Sequence, residues 1–374
     1  MGHKIYPPKQ KLPLWDRLLS LSEEAKYETI STSEVQDLPL RCWIYPAQGR
    51  GKPVPIMKTL LSNICSHNCL YCPHRKDREY ERMSLEPEEI ASSFGELLRR
   101  GVVEGIFLSS AIEDSPAKTM DLILKTAEII REKIGFTGYM HLKVMPGAEK
   151  SQVERACELA TRISINIEAP EKYLKKISPE KEPSHIIPQI SWIKDFLKGD
   201  KSQTTQFVVG AADEKDIDIL RTTENLIKNF NIRRCYFSNL RPVPNTPLEN
   251  KTPPPKIREI RLYQAEILIR KYGFKPDELF LVDGNLPLEK DPKTLWAEKN
   301  PHKFPVEINR AEFEELIRVP GIGHETARRI IKVRKEGKIK GMRELKHLGV
   351  NIKRAVKFIT VDGRWAGYEE PHLI

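Results

Sequence analysis

The chain has 374 residues, which is enough for two or three domains with buried cores and excludes a small disulfide-stabilised scaffold. Apolar residues make up 39% and charged residues 30%, proportions that are typical of a globular protein and exclude a disordered or membrane-spanning chain. No apolar run reaches the roughly 18 residues of a membrane span, and the first residues lack the apolar core of a signal peptide. We therefore expect a cytoplasmic protein with no membrane association, whose reduced cysteines are metal ligands or buried apolar residues.

The net charge of +10 is concentrated near the C-terminus. Residues 318–357 contain 13 Lys/Arg and three Glu, so this segment carries the whole excess and the rest of the chain is balanced. A local basic segment is typical of a module that binds a polyanion, although a solvated basic face without a partner has the same composition.

The predicted secondary structure alternates between strand and helix through the middle of the chain. Strand-like runs are predicted at 54–61, 104–109, 138–145, 162–168, 204–209 and 233–240. Helical patterns follow them at 87–100, 117–133, 149–160, 184–197, 213–229 and 255–272. Six consecutive β-α units predict a parallel sheet that is either open or curled into a whole or partial barrel. The proline-rich stretch 275–306 is predicted to be a linker or lid with little regular structure.

Three cysteines lie directly after the first predicted strand. Cys65, Cys69 and Cys72 have the spacing C-x3-C-x2-C, whereas Cys42, Cys157 and Cys235 are isolated in sequence. Three thiolates this close together suit an iron-sulfur cluster or a zinc ion, both of which normally take a fourth ligand. If the site holds a 4Fe-4S cluster, one iron is left open for an exogenous ligand at the mouth of the β-α sheet.

Polar side chains occupy one face of several predicted strands. In the run 162–168, isoleucines alternate with Ser164, Asn166 and Glu168. Because a buried parallel strand is normally apolar on both faces, this alternation predicts a polar ligand inside the barrel, or else an edge strand with one solvated face. The same argument on two other strands adds candidates for contacts with substrate or with a ligand carboxylate: His141, Lys143 and Gln206.

A second motif lies in the basic segment, between helical patterns at 311–317 and 325–335. Gly321, Ile322 and Gly323 form a tight turn whose N–H groups and following helix start could cradle one phosphate. Basic residues follow one turn later, where they could reach neighbouring phosphates: Arg328, Arg329 and Lys332. This pattern resembles a helix-hairpin-helix motif, which contacts the nucleic-acid backbone without reading base sequence. A weaker copy at 345–358 suggests a second hairpin that completes the core.

From residue 53 to 274 the chain resembles the radical S-adenosylmethionine (SAM) enzymes. The resemblance implies that Cys65, Cys69 and Cys72 hold a 4Fe-4S cluster whose open iron binds the methionyl end of SAM. It implies a partial (β/α)6 barrel and reductive cleavage of SAM to a 5′-deoxyadenosyl radical. It also implies SAM contacts near the adenine, the ribose and the methionyl group for a further set of residues: Tyr71, Ser109, Ser110, Asn166, Glu168 and Gly210.

The two motifs together resemble a group of radical SAM proteins associated with DNA modification or repair. The organisation then expected is an N-terminal extension at 1–52, a radical SAM barrel at 53–274, a linker or lid at 275–306 and a small helical helix-hairpin-helix domain at 307–374. The expected partners are a nucleic acid, DNA more than RNA, and a low-potential electron donor such as ferredoxin or flavodoxin. The same chemistry on RNA, and a non-catalytic DNA-binding iron-sulfur sensor, remain alternatives.

Overall fold

A computed structural model describes residues 12–27, 44–48 and 53–365 of the chain. The chain divides into two compact units, the first formed by residues up to 214 together with 225–254, and the second by 215–224 together with 255–374. The domain boundaries expected from the sequence stay predictions. Within the described residues, no helix has the length and apolar character needed to cross a membrane.

The first unit is built on a seven-stranded sheet whose strand order follows the sequence. The strands are β1 (Ile44–Gln48), β2 (Pro53–Leu60), β3 (Gly105–Ser109), β4 (Tyr139–Lys143), β5 (Arg162–Ser164), β6 (Ser202–Val209) and β7 (Ile232–Asn239). β1 runs antiparallel to β2, and β2 to β7 are all parallel. A sheet of parallel strands in sequential order is the half-barrel that six β-α units predict, so the expected fold class is confirmed.

Helices connect the parallel strands and precede or follow them. They are α1 (Leu14–Glu24), α2 (Pro87–Arg99), α3 (Pro116–Glu128), α4 (Lys150–Leu159), α5 (Glu171–Ile177), α6 (Pro183–Phe196), α7 (Asp216–Phe230) and α8 (Lys256–Tyr272). The boundaries agree with the predicted helical patterns to within a few residues, because proline and capping residues mark several starts. Ser115, for example, accepts a hydrogen bond from the Lys118 N–H at the start of α3.

Two features of the first unit were not predicted. The strand predicted at 162–168 is regular only over Arg162–Ser164, because the chain then turns and Glu168 takes a φ of 62°. Beyond that turn, Glu168 returns to the sheet edge through a parallel bridge with Phe207. The short helix α5 was also missed, since its apolar residues are too few to set a period.

The second unit contains more regular structure than the sequence predicts. The segment 275–306, expected to have little, includes α9 (Pro292–Lys299) and short 3-10 turns, and Trp296 packs against Phe274 in the core. Beyond it lie α10 (Phe313–Arg318), α11 (His324–Glu336), α12 (Met342–His347) and α13 (Ile352–Ala355). A three-stranded sheet of β8 (Val306–Glu307), β9 (Ile359–Val361) and β10 (Arg364–Trp365) accompanies the helices.

Candidate active site and nucleic-acid interface

A cavity that opens to solvent lies at the carboxyl ends of the parallel strands. This is the end of a β-α sheet where side chains from several strands and loops converge. Most of the residues singled out in the sequence of the first unit lie on its walls, and Lys181 joins them: Cys65, Cys69, Tyr71, Cys72, Ser110, Lys143, Asn166, Glu168, Lys181 and Gln206.

The three cysteines sit on an irregular loop that backbone hydrogen bonds tie to neighbouring segments. The Ser66 N–H donates to the Ile112 carbonyl at 2.7 Å, and the Leu70 N–H donates to the Ile177 carbonyl at 2.8 Å. These bonds attach the loop to the segment after β3 and to the end of α5. The loop has no helix or strand of its own, so these cross-links are what hold the cysteines in place.

Arg82 organises the far side of the same loop. Its guanidinium donates to the carbonyls of Arg75 at 2.8 Å, Lys76 at 3.0 Å and Arg78 at 3.1 Å, and more weakly to His74 at 3.2 Å. One rigid planar cation therefore satisfies several carbonyls that no regular element could pair.

The thiol environment fits an iron-sulfur cluster. Burial, followed by the neighbouring Cys69 and Cys65, raises the pKa of the Cys72 thiol, so a thiolate at Cys72 requires a positive group beside it. The His74 N–H donates to the Cys72 sulfur at 3.4 Å, a contact that stabilises a ligating thiolate.

A buried ion pair forms part of the cavity wall beside the cysteines. The Lys181 ammonium lies 2.5 Å from the Glu168 carboxylate, and the two side chains are 11% and 4% exposed. Glu168 holds the pKa of Lys181 above its usual value despite the burial. The positive φ of Glu168 is a conformation that non-glycine residues seldom adopt, and such positions cluster at functional sites.

The remaining cavity residues present both polar and apolar surface. Asn166, Lys143 and Gln206 point polar groups at the interior, and the buried Ser110 hydroxyl has no hydrogen-bond partner within the described residues. Tyr71 packs against an apolar cluster of alanine and aliphatic side chains that includes Ala211. A flat apolar surface beside polar groups suits a nucleoside with a charged tail.

Three of the predicted site residues do not line the cavity. Ser109 is fully buried on β3. The Gly210 N–H donates to the Glu214 carboxylate at 2.5 Å, and a Cβ at this position would lie 2.2 Å from Pro254, so a glycine is required there by packing. His141 lies deeper, where its Nε2 is 2.8 Å from the Ser164 hydroxyl.

Sequence reasoning missed several residues that build the site. Lys181 follows a helix that was not predicted, and Arg82 lies in a loop without a pattern. Glu24 comes from α1 and its carboxylate accepts a hydrogen bond from Asn63 at 2.8 Å on the cavity wall. Asn63 also accepts from the Met83 N–H at 2.7 Å, which fixes the strand end that precedes the cysteines. The one available signal was the density of polar residues around the cysteine loop.

In the second unit, α10 and α11 form a hairpin around the turn 319–323. Gly321 has a φ of 83°, and a Cβ there would lie 2.5 Å from the Asn351 carbonyl, whereas a Cβ at Gly323 would meet only the Tyr272 hydroxyl at 3.5 Å. The two glycines therefore differ: packing requires the first, whereas a side chain at the second, at the start of α11, would make only an ordinary contact with the Tyr272 hydroxyl.

Lys293 orients the turn from behind. Its buried ammonium donates to the Ile322 carbonyl at 2.6 Å. Because the C=O and N–H of one peptide point in opposite directions, this bond turns the Gly323 N–H away from Lys293. Within the described residues the Gly323 N–H has no hydrogen-bond partner. An outward N–H at a helix start is the geometry that accepts a phosphate.

The predicted phosphate-contacting side chains are exposed on α11. Arg328 pairs with Glu325 at 2.5 Å on the surface, Arg329 donates to the Leu348 carbonyl at 3.3 Å, and Lys332 is exposed. Weak surface pairings of this kind leave the cations available to a polyanion.

Comparison with known proteins agrees with both motifs. Residues 59–226 match the model of the Radical SAM superfamily, and residues 302–351 match that of the helix-hairpin-helix motif. No curated protein matches the chain.

Solved structures resemble the chain over a little more than half its length. They include the FeFe-hydrogenase maturase HydG from Carboxydothermus hydrogenoformans (17% identity, TM-score 0.47, covering 57% of this chain and 51% of that one). Methylornithine synthase (PylB) has 14% identity and a TM-score of 0.47, covering 57% of this chain and 61% of its own. Coproporphyrinogen III oxidase (HemN) from Escherichia coli has 13% identity and a TM-score of 0.40, covering 58% and 52%. This chain thus spans about half the length of the maturase.

Residues 59–226, which include the cysteine loop, form a domain of the Radical SAM superfamily. The cofactors of that superfamily are a 4Fe-4S cluster and SAM.

Proposed function

We propose that this radical SAM enzyme modifies or repairs a nucleic acid, and that the nucleic acid is DNA. The observation that carries the proposal is the presence of a helix-hairpin-helix match in the same chain as the radical SAM domain. The basic segment 318–357 contains the turn and the second helix of that hairpin, and backbone binding by such a hairpin is independent of base sequence.

Different residues of the cavity would hold the cluster and SAM. Cys65, Cys69 and Cys72 would hold the cluster, which together with SAM supplies a radical able to abstract hydrogen from an unactivated C–H bond. Asn166 and the Glu168–Lys181 pair would bind the polar parts of SAM. Tyr71 and the apolar cluster behind it would cover the adenine and exclude water.

The substrate must present one carbon within van der Waals reach inside this cavity. A base stacked in a duplex cannot enter it, so the target nucleotide would be flipped out, single-stranded or at an end. The hairpin would supply affinity for the backbone, and a donor of the ferredoxin or flavodoxin class would supply the electron.

The test uses full-length protein, reconstituted anaerobically with iron and sulfide and reduced in the presence of SAM. Single-stranded DNA, duplex DNA and RNA of one sequence are supplied separately, and 5′-deoxyadenosine and the digested nucleosides are followed by mass spectrometry. We expect DNA-dependent formation of 5′-deoxyadenosine and a nucleoside of altered mass, both absent in Cys69→Ala. If altered nucleosides form only when RNA is supplied, the substrate is RNA. Reduced protein that binds DNA but forms no 5′-deoxyadenosine would favour a sensor.

A further inference from the structure

The second unit carries an exposed tryptophan on its small sheet. Trp365, on β10, is 50% exposed, and within the described residues its ring contacts no other ring or cation and its indole N–H makes no hydrogen bond. Tryptophan is highly buried on average and is enriched at binding interfaces. A half-exposed tryptophan without a partner in its own chain therefore requires an explanation.

The β-hairpin that carries Trp365 has a fixed backbone. β9 and β10 are joined by Asp362 and Gly363, whose φ angles of 54° and 79° are the left-handed conformations that a two-residue type I′ turn needs. The Glu307 carboxylate accepts a hydrogen bond from each N–H of this turn, at 3.0 Å from Asp362 and 2.9 Å from Gly363. The ring is thus presented by an ordered strand, which lowers the entropy cost of binding a ligand on it.

The surroundings of this β-hairpin carry more positive than negative charge. The Lys338 ammonium lies 2.9 Å from the exposed Asp362 carboxylate. Lys338 first, and then Arg310 and Arg364, lower the pKa of Asp362, so all three cations lie near this carboxylate. Both arginines are exposed. With the carboxylate of Glu307 counted as well, three cations stand against two anions, an excess that suits a polyanion.

Hydrogen bonds tie the small sheet to the C-terminal end of α11. Asn309, which follows β8, accepts from the Ile339 N–H and donates to the Ile339 carbonyl, both at 2.9 Å. Arg334, in the last turn of α11, donates to the Ile308 carbonyl at 3.0 Å. The turn at Gly323 precedes the first residue of the same helix, whose 13 residues span about 20 Å. The β-hairpin and the Gly323 turn are therefore held at opposite ends of one helix.

We propose that Trp365 is a stacking platform for one unpaired base of a single-stranded nucleic acid whose backbone continues toward the Gly323 turn. The ring supplies a flat face that any unstacked base can cover, while Arg310 and Arg364 supply charge for the flanking phosphates. That the ligand is a nucleic acid rests on the proposed function. Because a duplex keeps its bases stacked, the platform favours a single strand, the form in which a target nucleotide is already unstacked.

The experiment measures binding of the full-length protein to three fluorescent probes by anisotropy. The probes are a thymidine strand, a strand of the same length made of abasic residues, and a duplex. At 3.4 Å per nucleotide, about six nucleotides span the length of α11, so strands of about 12 nucleotides reach both of its ends. Stacking of one base on an aromatic ring strengthens binding about fivefold or more. Wild-type protein should therefore bind the thymidine strand at least fivefold more tightly than the abasic strand.

Variants test whether Trp365 creates this preference. Trp365→Ala should bind the thymidine strand no more tightly than the abasic strand and should keep its affinity for the duplex, whereas Trp365→Phe should retain most of the preference because a phenyl ring also stacks. Arg364→Met should weaken both strands and reduce the slope of log affinity against log salt by about one. Trp15→Ala is the matched control, because Trp15 is a 41% exposed tryptophan on α1 in the first unit, and it should change none of these values.

The outcomes separate this platform from the proposed function. Folded Trp365→Ala that keeps the preference for the thymidine strand would overturn the platform, even if the protein modifies DNA. An equal loss of affinity for the thymidine and abasic strands, or a lower Tm of Trp365→Ala, would show that the ring packs against the chain and would also overturn it. Wild-type protein that binds none of the probes would overturn the platform together with the nucleic-acid substrate. A preference that depends on Trp365, in a protein that alters no nucleoside, would retain the platform and reject the modification.

Discussion

The Lys181 ammonium and the Glu168 carboxylate lie 2.5 Å apart on the cavity wall, both almost completely buried. The two residues come from the turn after β5 and the loop after α5, so their pairing joins two irregular segments. A buried pair of this kind contributes little to net stability over apolar replacements, but removing one partner leaves an uncompensated charge.

Glu168→Gln should therefore destabilise the protein strongly, by about 3–5 kcal/mol in the free energy of unfolding. Lys181→Met should cost a similar amount, and the double variant should recover most of the loss because no charge is left unpaired. Urea unfolding of the cluster-free protein measures this cycle. Additive losses in the double variant would show that the two side chains act independently.

Neighbouring residues after β5 should give opposite phenotypes. Asn166 lines the cavity, so Asn166→Ala should retain the cluster and weaken SAM binding by about 1–3 kcal/mol. Ile165 is fully buried, so Ile165→Ala should instead lower the free energy of unfolding by about 2–5 kcal/mol. Equilibrium binding of SAM and urea unfolding of both variants test the assignment. If the phenotypes are exchanged, the inward face has been assigned wrongly.

The sequence predicted those features of the fold that depend on a repeating pattern of neighbouring residues. Alternation after Arg162 correctly placed Asn166 and Glu168 on the cavity wall, and the β-α period located the parallel strands. Glu168 nevertheless leaves the regular strand, because its backbone conformation depends on contacts with β6 that have no local signature. Its partner Lys181 was missed for the same reason. Glu24, from a separate helix, reaches the cavity only through tertiary folding.

The cysteine loop should depend on Arg82 as well as on the cysteines. Arg82→Met removes the donor for several carbonyls, and we expect iron content after anaerobic reconstitution to fall to less than half that of the wild type. Arg82→Lys should rescue it only in part, since an ammonium lacks the planar fork of donors. Lys76→Met is the control, because this exposed side chain lies on the same loop.

Variants of the three cysteines should show the complete loss of the cluster, with which the partial loss in the Arg82 variants is compared. Cys65→Ala, Cys69→Ala and Cys72→Ala should each abolish the cluster absorbance and SAM cleavage, whereas Cys157→Ala, a buried cysteine on α4, should retain both. Cys42, also predicted to be dispensable, lies outside the described residues. Wild-type iron content in Cys69→Ala would remove the basis of the cluster assignment.

The two glycines of the hairpin should respond differently to a side chain. Gly323→Val adds only an ordinary contact with the Tyr272 hydroxyl, so the variant should keep the fold. It should lower DNA affinity at least tenfold, because the valine would occupy the phosphate position. Gly321→Val should destabilise the second unit itself, owing to its positive φ and the nearby Asn351 carbonyl. DNA binding by fluorescence anisotropy and unfolding of the full-length variants distinguish the two effects. Unchanged DNA affinity in folded Gly323→Val would contradict the predicted interface.

The salt dependence of the same binding reports the contribution of α11. If Arg328 and Arg329 each neutralise one phosphate, replacing both with alanine should reduce the slope of log affinity against log salt by about two. Lys290, an exposed lysine that pairs with Glu298, provides the control as Lys290→Met. Binding that does not vary with salt would indicate that the helix-hairpin-helix module contacts a protein or only completes the fold.

Lys293 should make the stability of the second unit depend on pH. Burial, then the positive charge of Arg354, lowers its pKa from 10.5 to about 7, with Asp291 opposing and Arg318 adding to the effect. Between pH 7 and pH 10.5, Lys293 is protonated in the unfolded chain but neutral in the folded chain. The free energy of unfolding therefore rises with pH above about 7. Below about pH 7 the cost of burying the charged lysine is present in full. The gain from pH 7 to pH 9 should be about 2 kcal/mol relative to Lys293→Met. Urea unfolding of both proteins at the two pH values measures the difference, with Lys290→Met expected to follow the wild type. A difference between wild type and Lys293→Met that stays constant with pH would show that the ammonium under the Ile322 carbonyl keeps its proton throughout.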